Sequence, residues 1–167
     1  MKNCQNKKMS NFVCLKTKFM TRIRLTKIFE FEAAHALHNY DGLCRNIHGH
    51  SYKLHVTITG LINKDSESPK LGMVMDFGEL KQIIKPHIID EYDHSILLSS
   101  KENLKYIKTE NELFKRIHIL DFQPTAENMV IHFAKMINIL LPSGIELYSL
   151  KLYETATSFA EWYAEDQ

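Results

Sequence analysis

Residues 44–59 read CRNIHGHSYKLHVTIT, and from His48 onward apolar side chains alternate with polar ones. Successive side chains of an extended chain point to opposite faces, so this pattern predicts a strand from about His48 to Thr59. His48 and His50 share one face of that strand, and the same face continues with Tyr52, Leu54, Val56 and Ile58. We therefore expect a half-buried strand that presents two imidazoles together at its beginning.

A second strand is predicted just before this one, at residues 22–35. One of its faces carries Phe29, Phe31, Ala33 and His35, and the other carries Ile28, Glu30 and Glu32. The turn dipeptide Asp41-Gly42 lies in the loop that follows. His35 ends the first strand near the point where His48 begins the next one. A third imidazole can therefore join the other two.

Three histidines in this arrangement are compatible with two interpretations. They can be polar residues on a half-buried strand, or His35, His48 and His50 can bind one metal ion. Three neutral nitrogen ligands with an open fourth position are typical of catalytic zinc, and this interpretation is favoured, although iron or nickel would also accept such ligands. Gly49 between the two strand histidines leaves room for close approach.

The remaining pattern predicts an α+β fold with an antiparallel four-stranded sheet and two helices on one face. Asp76 is placed to cap the first helix, with Glu79 reaching back, and Pro86 predicts a bend or a break in it. Thr125 is placed to cap the second helix, which ends before Pro142. Strands are expected at residues 145–154 and 159–163, with an extra strand within 114–122.

Composition indicates one soluble domain. The chain has 167 residues, 44% hydrophobic and 25% charged, with a formal charge of +1 that predicts no general attraction to nucleic acid or to anionic membranes. No segment approaches the roughly 20 apolar residues of a membrane span. Three cysteines without framework spacing are typical of a reducing cytoplasm.

The first 20 residues differ in character from the rest. Before residue 28 no acidic residue occurs, and the basic ones are Lys2, Lys7, Lys8, Lys16, Lys18, Arg22, Arg24 and Lys27. The apolar run of a signal peptide is absent, and Met9 and Met20 are alternative starts. We interpret residues 1–20 as a disordered leader or a misassigned start rather than a nucleic-acid-binding arm. Residues 21–167 form the domain.

Three further sites carry reactive side chains. Cys44 can be a fourth zinc ligand, a buried apolar residue or a reactive thiol. Asp93 can orient His94 for proton transfer, although adjacent side chains seldom bind each other, so the pair can be coincidental. Glu154 ends an apolar strand, where it can lie exposed at an edge or accept two parallel hydrogen bonds from a guanidine-like ligand.

Together these residues resemble the 6-pyruvoyl-tetrahydropterin synthase superfamily, and within it the bacterial 6-carboxy-tetrahydropterin synthases of queuosine biosynthesis. The motifs that carry the resemblance occur in family order from about residue 24 to the end. They are Phe31-Glu32-Ala33-Ala34-His35, Cys44-x-x-x-His48-Gly49-His50, Met75-Asp76-Phe77, Asp93-His94, Pro124-Thr125-Ala126-Glu127-Asn128 and Tyr153-Glu154-Thr155. The segment 99–122 is longer than in compact members and is interpreted as an insertion.

The resemblance implies a role for each site residue. Zinc would be bound by His35, His48 and His50. Cys44 would be the catalytic proton acceptor, His94 oriented by Asp93 would relay protons, and Glu154 would anchor the pterin ring. The implied fold is the tunnelling fold, in which trimers close their sheets into a barrel and two trimers form a homohexamer with active sites between subunits.

The spacing of three residues between Cys44 and His48 resembles the carboxy-tetrahydropterin enzymes. The implied reaction converts 7,8-dihydroneopterin triphosphate to 6-carboxy-5,6,7,8-tetrahydropterin, acetaldehyde and triphosphate. The alternatives are pyruvoyl-tetrahydropterin synthesis and, from another class, a non-catalytic protein whose structural zinc is bound by one cysteine and three histidines. Possible contacts for the triphosphate are Lys27, Arg45 and Lys53.

Overall fold

The computed structural model describes residues 21–103, 105, 107 and 111–167, and within these residues six strands form one sheet. In chain order the strands are β1 Arg22–His35, β2 His48–Leu61, β3 Ser95–Ser99, β4 Ile117–Leu120, β5 Ile145–Tyr153 and β6 Phe159–Tyr163. Across the sheet they run β4-β3-β1-β2-β5-β6. The helices are α1 Phe77–Ile84, α2 Asp90–Tyr92 and α3 Ala126–Leu140. The expected α+β class is confirmed, and the predicted leader lies outside the described residues.

The long hairpin of β1 and β2 forms the middle of the sheet. The two strands pair antiparallel from Arg22 opposite Leu61 to His35 opposite His48. The apolar face predicted from the alternation is buried, with Phe31 and Tyr52 each 2% exposed. This face meets the buried side chains of α1 and α3 in one core. Burial of a single apolar face fixes the register, because a slip of one residue would turn every side chain over.

The sheet contains two strands more than the four expected, and both pair in parallel. β3 pairs with β1 and β4 pairs with β3, whereas β1, β2, β5 and β6 are antiparallel. The extra strand expected within 114–122 is β4. The sequence Ser-Ile-Leu-Leu-Ser of β3 is short and almost wholly buried, so it lacks the alternation that marks a half-exposed strand.

The helix that leads toward β3 contains one wide turn. Asp76 caps α1 as predicted, because its side chain accepts a hydrogen bond from the Gly78 N–H at 2.6 Å. Glu79 does not reach back to the cap and instead pairs with Lys70. Pro86 lies in a π-helical turn, Lys85–Ile89, that connects α1 to α2. The wider turn accommodates the missing N–H of proline, so the helix continues where a bend or break was expected.

The helix α3 covers the other part of the core. Its cap is Thr125, whose hydroxyl accepts from the Asn128 N–H at 3.4 Å, as the sequence predicts. Among its buried residues, Phe133 and Ile137 are fully buried. No helix in the described part of the chain is both long and apolar enough to cross a membrane.

His132 connects α3 to the end of α2, and this contact predicts a pH dependence of stability. Its Nε2 lies 2.8 Å from the Tyr92 hydroxyl. Burial lowers the pKa of His132 below its ordinary 6.5, and burial raises the pKa of Tyr92 to about 12. Below pH 6.5 the unfolded chain therefore binds a proton that the folded chain does not, and the free energy of unfolding falls as the pH falls toward the lower folded pKa.

We expect the free energy of unfolding to fall less in His132→Gln than in the wild type between about pH 7.5 and about pH 5, because the variant lacks the buried histidine with a lowered pKa. Urea unfolding followed by circular dichroism measures this difference. The matched control is Tyr92→Phe, which removes the hydrogen bond but keeps the buried imidazole and with it the pH dependence. Equal losses of unfolding free energy in His132→Gln and in the wild type would contradict the assignment of this pH dependence to His132.

Candidate metal centre

Three imidazoles lie together at the end of the β1–β2 hairpin. His35 is the last residue of β1, while His48 and His50 are the first and third residues of β2. In the register, His35 lies opposite His48 and the small Ala33 lies opposite His50. One ring nitrogen from each histidine is within 4.8 Å of the others. Among the described residues, these three histidines are the group whose potential ligand atoms all lie mutually within that distance.

The backbone fixes which nitrogen of two rings can bind a ligand. His35 Nδ1 lies 2.6 Å from the Pro124 carbonyl oxygen, and His48 Nδ1 lies 2.8 Å from the Asn46 carbonyl oxygen. A carbonyl oxygen only accepts, so each Nδ1 carries the proton and each Nε2 keeps its lone pair. Metal-binding histidines are oriented by carbonyl partners in this way.

The two free nitrogens then face each other. His35 Nε2 and His48 Nε2 are 3.0 Å apart, a separation at which two lone pairs repel. A cation between them turns this repulsion into attraction. Ligand atoms about 2.0–2.1 Å from a tetrahedral zinc ion are about 3.3 Å from each other, which is close to the observed distance. The residues present therefore fit a metal ion.

Two properties of His50 support the same conclusion. Its Nε2 is buried and has no hydrogen-bond partner within the described residues. An unpaired buried polar atom costs free energy, which binding a metal ion would offset. Burial also lowers the pKa of both His35 and His50, and this keeps the two rings neutral and able to donate a lone pair near pH 7.

Glu154 lies beside this cluster. Its Oε1 is 3.4 Å from His35 Nε2 and 3.7 Å from His50 Nε2. The residue follows β5, and its backbone N–H donates to the Ser158 carbonyl at 3.0 Å in a tight turn. The side chain is 27% exposed, so one edge of the carboxylate remains accessible. The alternative of a glutamate exposed to water at a sheet edge does not describe this position, because β5 lies between β2 and β6 and the side chain is half-buried.

Cys44 lies in the short loop that leads to His48. It occupies a single 3-10 turn, Leu43–Arg45, and its thiol is free and half-buried. Its carbonyl accepts from the Leu37 N–H at 2.9 Å, which ties the turn to the chain just after His35. The thiol is outside the group of ligand atoms formed by the three histidines.

Asp93 and His94 do bind each other. Asp93 Oδ2 lies 3.0 Å from His94 Nδ1, and the His94 side chain is 75% exposed. Asp93 Oδ1 accepts from the Glu32 N–H at 2.8 Å, and the His94 N–H donates to the Glu32 carbonyl at 2.6 Å. The Glu32 N–H is the main cause of a lowered pKa of the Asp93 carboxyl, with smaller contributions from His94 and Arg116. The carboxylate therefore accepts from His94 Nδ1–H and leaves Nε2 free.

A cavity of about 390 Å³ is lined by His50 of the metal centre and by His94 of the Asp93–His94 pair. Of the possible triphosphate contacts, Lys53 pairs with Glu30 at 3.2 Å, and the Lys27 ammonium lies 5.8 Å from the rings of Phe29 and Phe77. Arg45 is exposed beside Cys44.

Sequence reasoning did not identify the backbone groups that orient the site. The Pro124 and Asn46 carbonyls hold two histidines, and both backbone groups of Glu32 hold the Asp93–His94 pair. Pro124 belongs to the family motif that leads into the second helix, but no side-chain pattern reveals where its carbonyl points. For Glu32, the only signal is its place in the motif that ends at His35.

Comparisons with known proteins agree with one another. The model of the family described as 6-pyruvoyl tetrahydropterin synthase matches residues 24–165. A Rickettsia conorii protein named 6-carboxy-5,6,7,8-tetrahydropterin synthase is 33% identical over 83% of this chain and 99% of its own length. A Haemophilus influenzae protein of the same name is 35% identical over 83% and 97%. The solved structure of Caenorhabditis elegans 6-pyruvoyl tetrahydropterin synthase matches with a TM-score of 0.61 and 26% identity, over 87% of this chain and 97% of that one.

Proposed function

Since this chain belongs to the 6-pyruvoyl tetrahydropterin synthase family, we propose that it is a 6-carboxy-5,6,7,8-tetrahydropterin synthase. The substrate is 7,8-dihydroneopterin triphosphate, and with one water the products are 6-carboxytetrahydropterin, acetaldehyde and triphosphate. The observation that carries this proposal is the identity of 33–35% to relatives of that name over nearly their whole length. This pterin product is an intermediate in queuosine biosynthesis.

The metal ion is bound by His35, His48 and His50, and zinc is the ion that three neutral imidazoles favour. Bound zinc supplies Lewis-acid chemistry toward the hydroxyls of the substrate side chain. Glu154 accepts two hydrogen bonds from the guanidine-like edge of the pterin. Its position 3.4 Å from His35 Nε2 supports this role, because the ring is then anchored next to the metal centre.

Proton transfer uses the remaining two sites. Cys44, as a thiolate, removes a carbon-bound proton of the substrate side chain. His94 returns or relays protons through its free Nε2 while Asp93 holds Nδ1–H. The location of Cys44 outside the histidine group favours this role over that of a fourth ligand in a structural zinc site.

The enzyme is cytoplasmic and acts as a homohexamer, a dimer of trimers with active sites between subunits. Two features support the assembly. The edge strands β4 and β6 have one side without a partner strand in the described part of the chain, and such edges are commonly covered by association. His94 is 75% exposed, which leaves it available to the site of a neighbouring copy.

Product identification tests the proposal. We expect the zinc-loaded protein to convert 7,8-dihydroneopterin triphosphate to 6-carboxytetrahydropterin with one acetaldehyde for each substrate consumed. Mass spectrometry identifies the pterin, and alcohol dehydrogenase with NADH measures acetaldehyde. The control is the same preparation after zinc removal with a chelator, in which acetaldehyde release should stop and should return when zinc is added back. A pyruvoyl-tetrahydropterin product without acetaldehyde would instead identify the alternative reaction.

A further inference from the structure

Arg116 and His118 form hydrogen bonds with backbone carbonyls of α2. The motifs that carry the family resemblance include neither residue. Both residues lie on the segment 99–122. Arg116 Nη2 donates to the carbonyl oxygens of Asp90 at 2.7 Å and Glu91 at 3.0 Å. His118 Nε2 donates to the Glu91 carbonyl at 2.9 Å. The last carbonyls of a helix have no partners within it, and a cation there also interacts favourably with the helix dipole.

The residue that follows these carbonyls is held through its side chain. The Tyr92 ring packs against the His118 ring with centroids 4.9 Å apart, and its hydroxyl bonds to His132 at 2.8 Å. Asp90, Glu91 and Tyr92 are therefore all fixed, and they are the three residues immediately before the Asp93–His94 pair.

The Asp93–His94 pair sits in a tight turn that needs support from both sides. His94 has a φ of +56°, a left-handed conformation that residues with a Cβ seldom adopt. On one side, Glu32 of β1 accepts from the His94 N–H and donates to Asp93. On the other side, the turn continues directly from the helix end that Arg116 and His118 cap. Loss of the cap removes their hydrogen bonds from that side and leaves the bond from the Asp93 N–H to the Ile89 carbonyl at 2.8 Å.

We propose that Arg116 and His118 are positioning residues for the reaction, acting through the Asp93–His94 turn. The inference rests on the proposed function, in which His94 relays a proton. Displacement of a proton-transfer group by about 1 Å can cost about 100-fold in rate, so a cap remote from the substrate can control turnover. The proposal also gives the segment 99–122 a role within its own chain.

Steady-state kinetics of the full-length, zinc-loaded enzyme tests this role. We expect Arg116→Ala to lower kcat by about 10-fold to 100-fold, with KM within about twofold and zinc content unchanged. Arg116→Lys should recover part of kcat, since its ammonium can still donate to the helix carbonyls. His118→Gln should cause a smaller loss. Lys115→Ala is the matched control, because Lys115 is the neighbouring cation and pairs with Glu112 instead. It should keep wild-type kcat.

Asp93→Asn separates this inference from the proposed function. Loss of kcat in Asp93→Asn with wild-type kcat in Arg116→Ala would overturn the positioning role and leave the reaction assignment intact. Wild-type kcat in Asp93→Asn would overturn the positioning role together with the proton-relay role of the Asp93–His94 pair, and the reaction itself would still be the one observed. Should Arg116→Ala fail to fold, Arg116→Lys and His118→Gln carry the test. Unchanged kcat in both, or a rise in KM that accounts for the whole loss, would then overturn the inference.

Discussion

His48→Ala is expected to leave the protein with much less than one zinc ion per chain and to lower kcat/KM by at least about 1000-fold. The physical reason is that His48 supplies one of three ligands in the proposed metal centre, and its Nε2 lies 3.0 Å from that of His35. A metal ion acting as a Lewis acid supplies several kcal/mol, and each 1.4 kcal/mol is tenfold in rate. Atomic emission spectrometry of the purified protein measures the zinc, and acetaldehyde release measures turnover.

The matched control for this variant is His55→Ala. His55 lies on the same strand but at an odd spacing from His48, so it points to the opposite face of the sheet. Zinc content should therefore stay at the wild-type value. A full zinc ion in His48→Ala together with wild-type turnover would show that the three histidines are not the metal centre.

Cys44→Ala is expected to keep zinc at one ion per chain and to lose about 100-fold to 10,000-fold in turnover, which is the usual contribution of a general base. The thiol is free, half-buried and outside the group of potential ligand atoms, so its removal deletes the proposed proton acceptor without deleting a proposed ligand. Zinc content and acetaldehyde release, measured on the same preparation, distinguish the two effects.

The non-catalytic alternative makes the opposite prediction for Cys44→Ala. A structural site of one cysteine and three histidines would release zinc and the melting temperature would fall, because such sites contribute directly to folding. Cys14→Ala is the control for loss of a thiol as such, since residue 14 precedes the family match that begins at residue 24. That control should retain both zinc and turnover.

Much of the site could be predicted because it depends on local periodicity. The two-residue period of β2 placed His48 and His50 on one face, and the same rule placed His35 at the end of the neighbouring strand. The caps Asp76 and Thr125 followed from short-range helix chemistry. These features depend on only a few consecutive residues, so they can be predicted from the local sequence.

The features that escaped prediction depend on long-range packing or on backbone direction. β3 is buried on both faces and so shows no alternation. The Pro124 carbonyl reaches His35 from 89 positions away in the chain. The spacing alone leaves direct pairing of the adjacent Asp93 and His94 open, and the pairing occurs with His94 at a φ of +56°. A one-dimensional pattern holds no information on that backbone angle.

The β1–β2 hairpin has a consequence for the order of folding. All three imidazoles belong to it, and only the loop 36–47 separates His35 from His48. Closing so short a loop costs little entropy, and contacts between nearby parts of a chain form faster than distant ones. The ligand set can therefore assemble before β5, α3 and the Pro124 carbonyl arrive. Metal bound at that stage would act as a folding nucleus, so we expect zinc to accelerate refolding as well as to stabilise the finished protein.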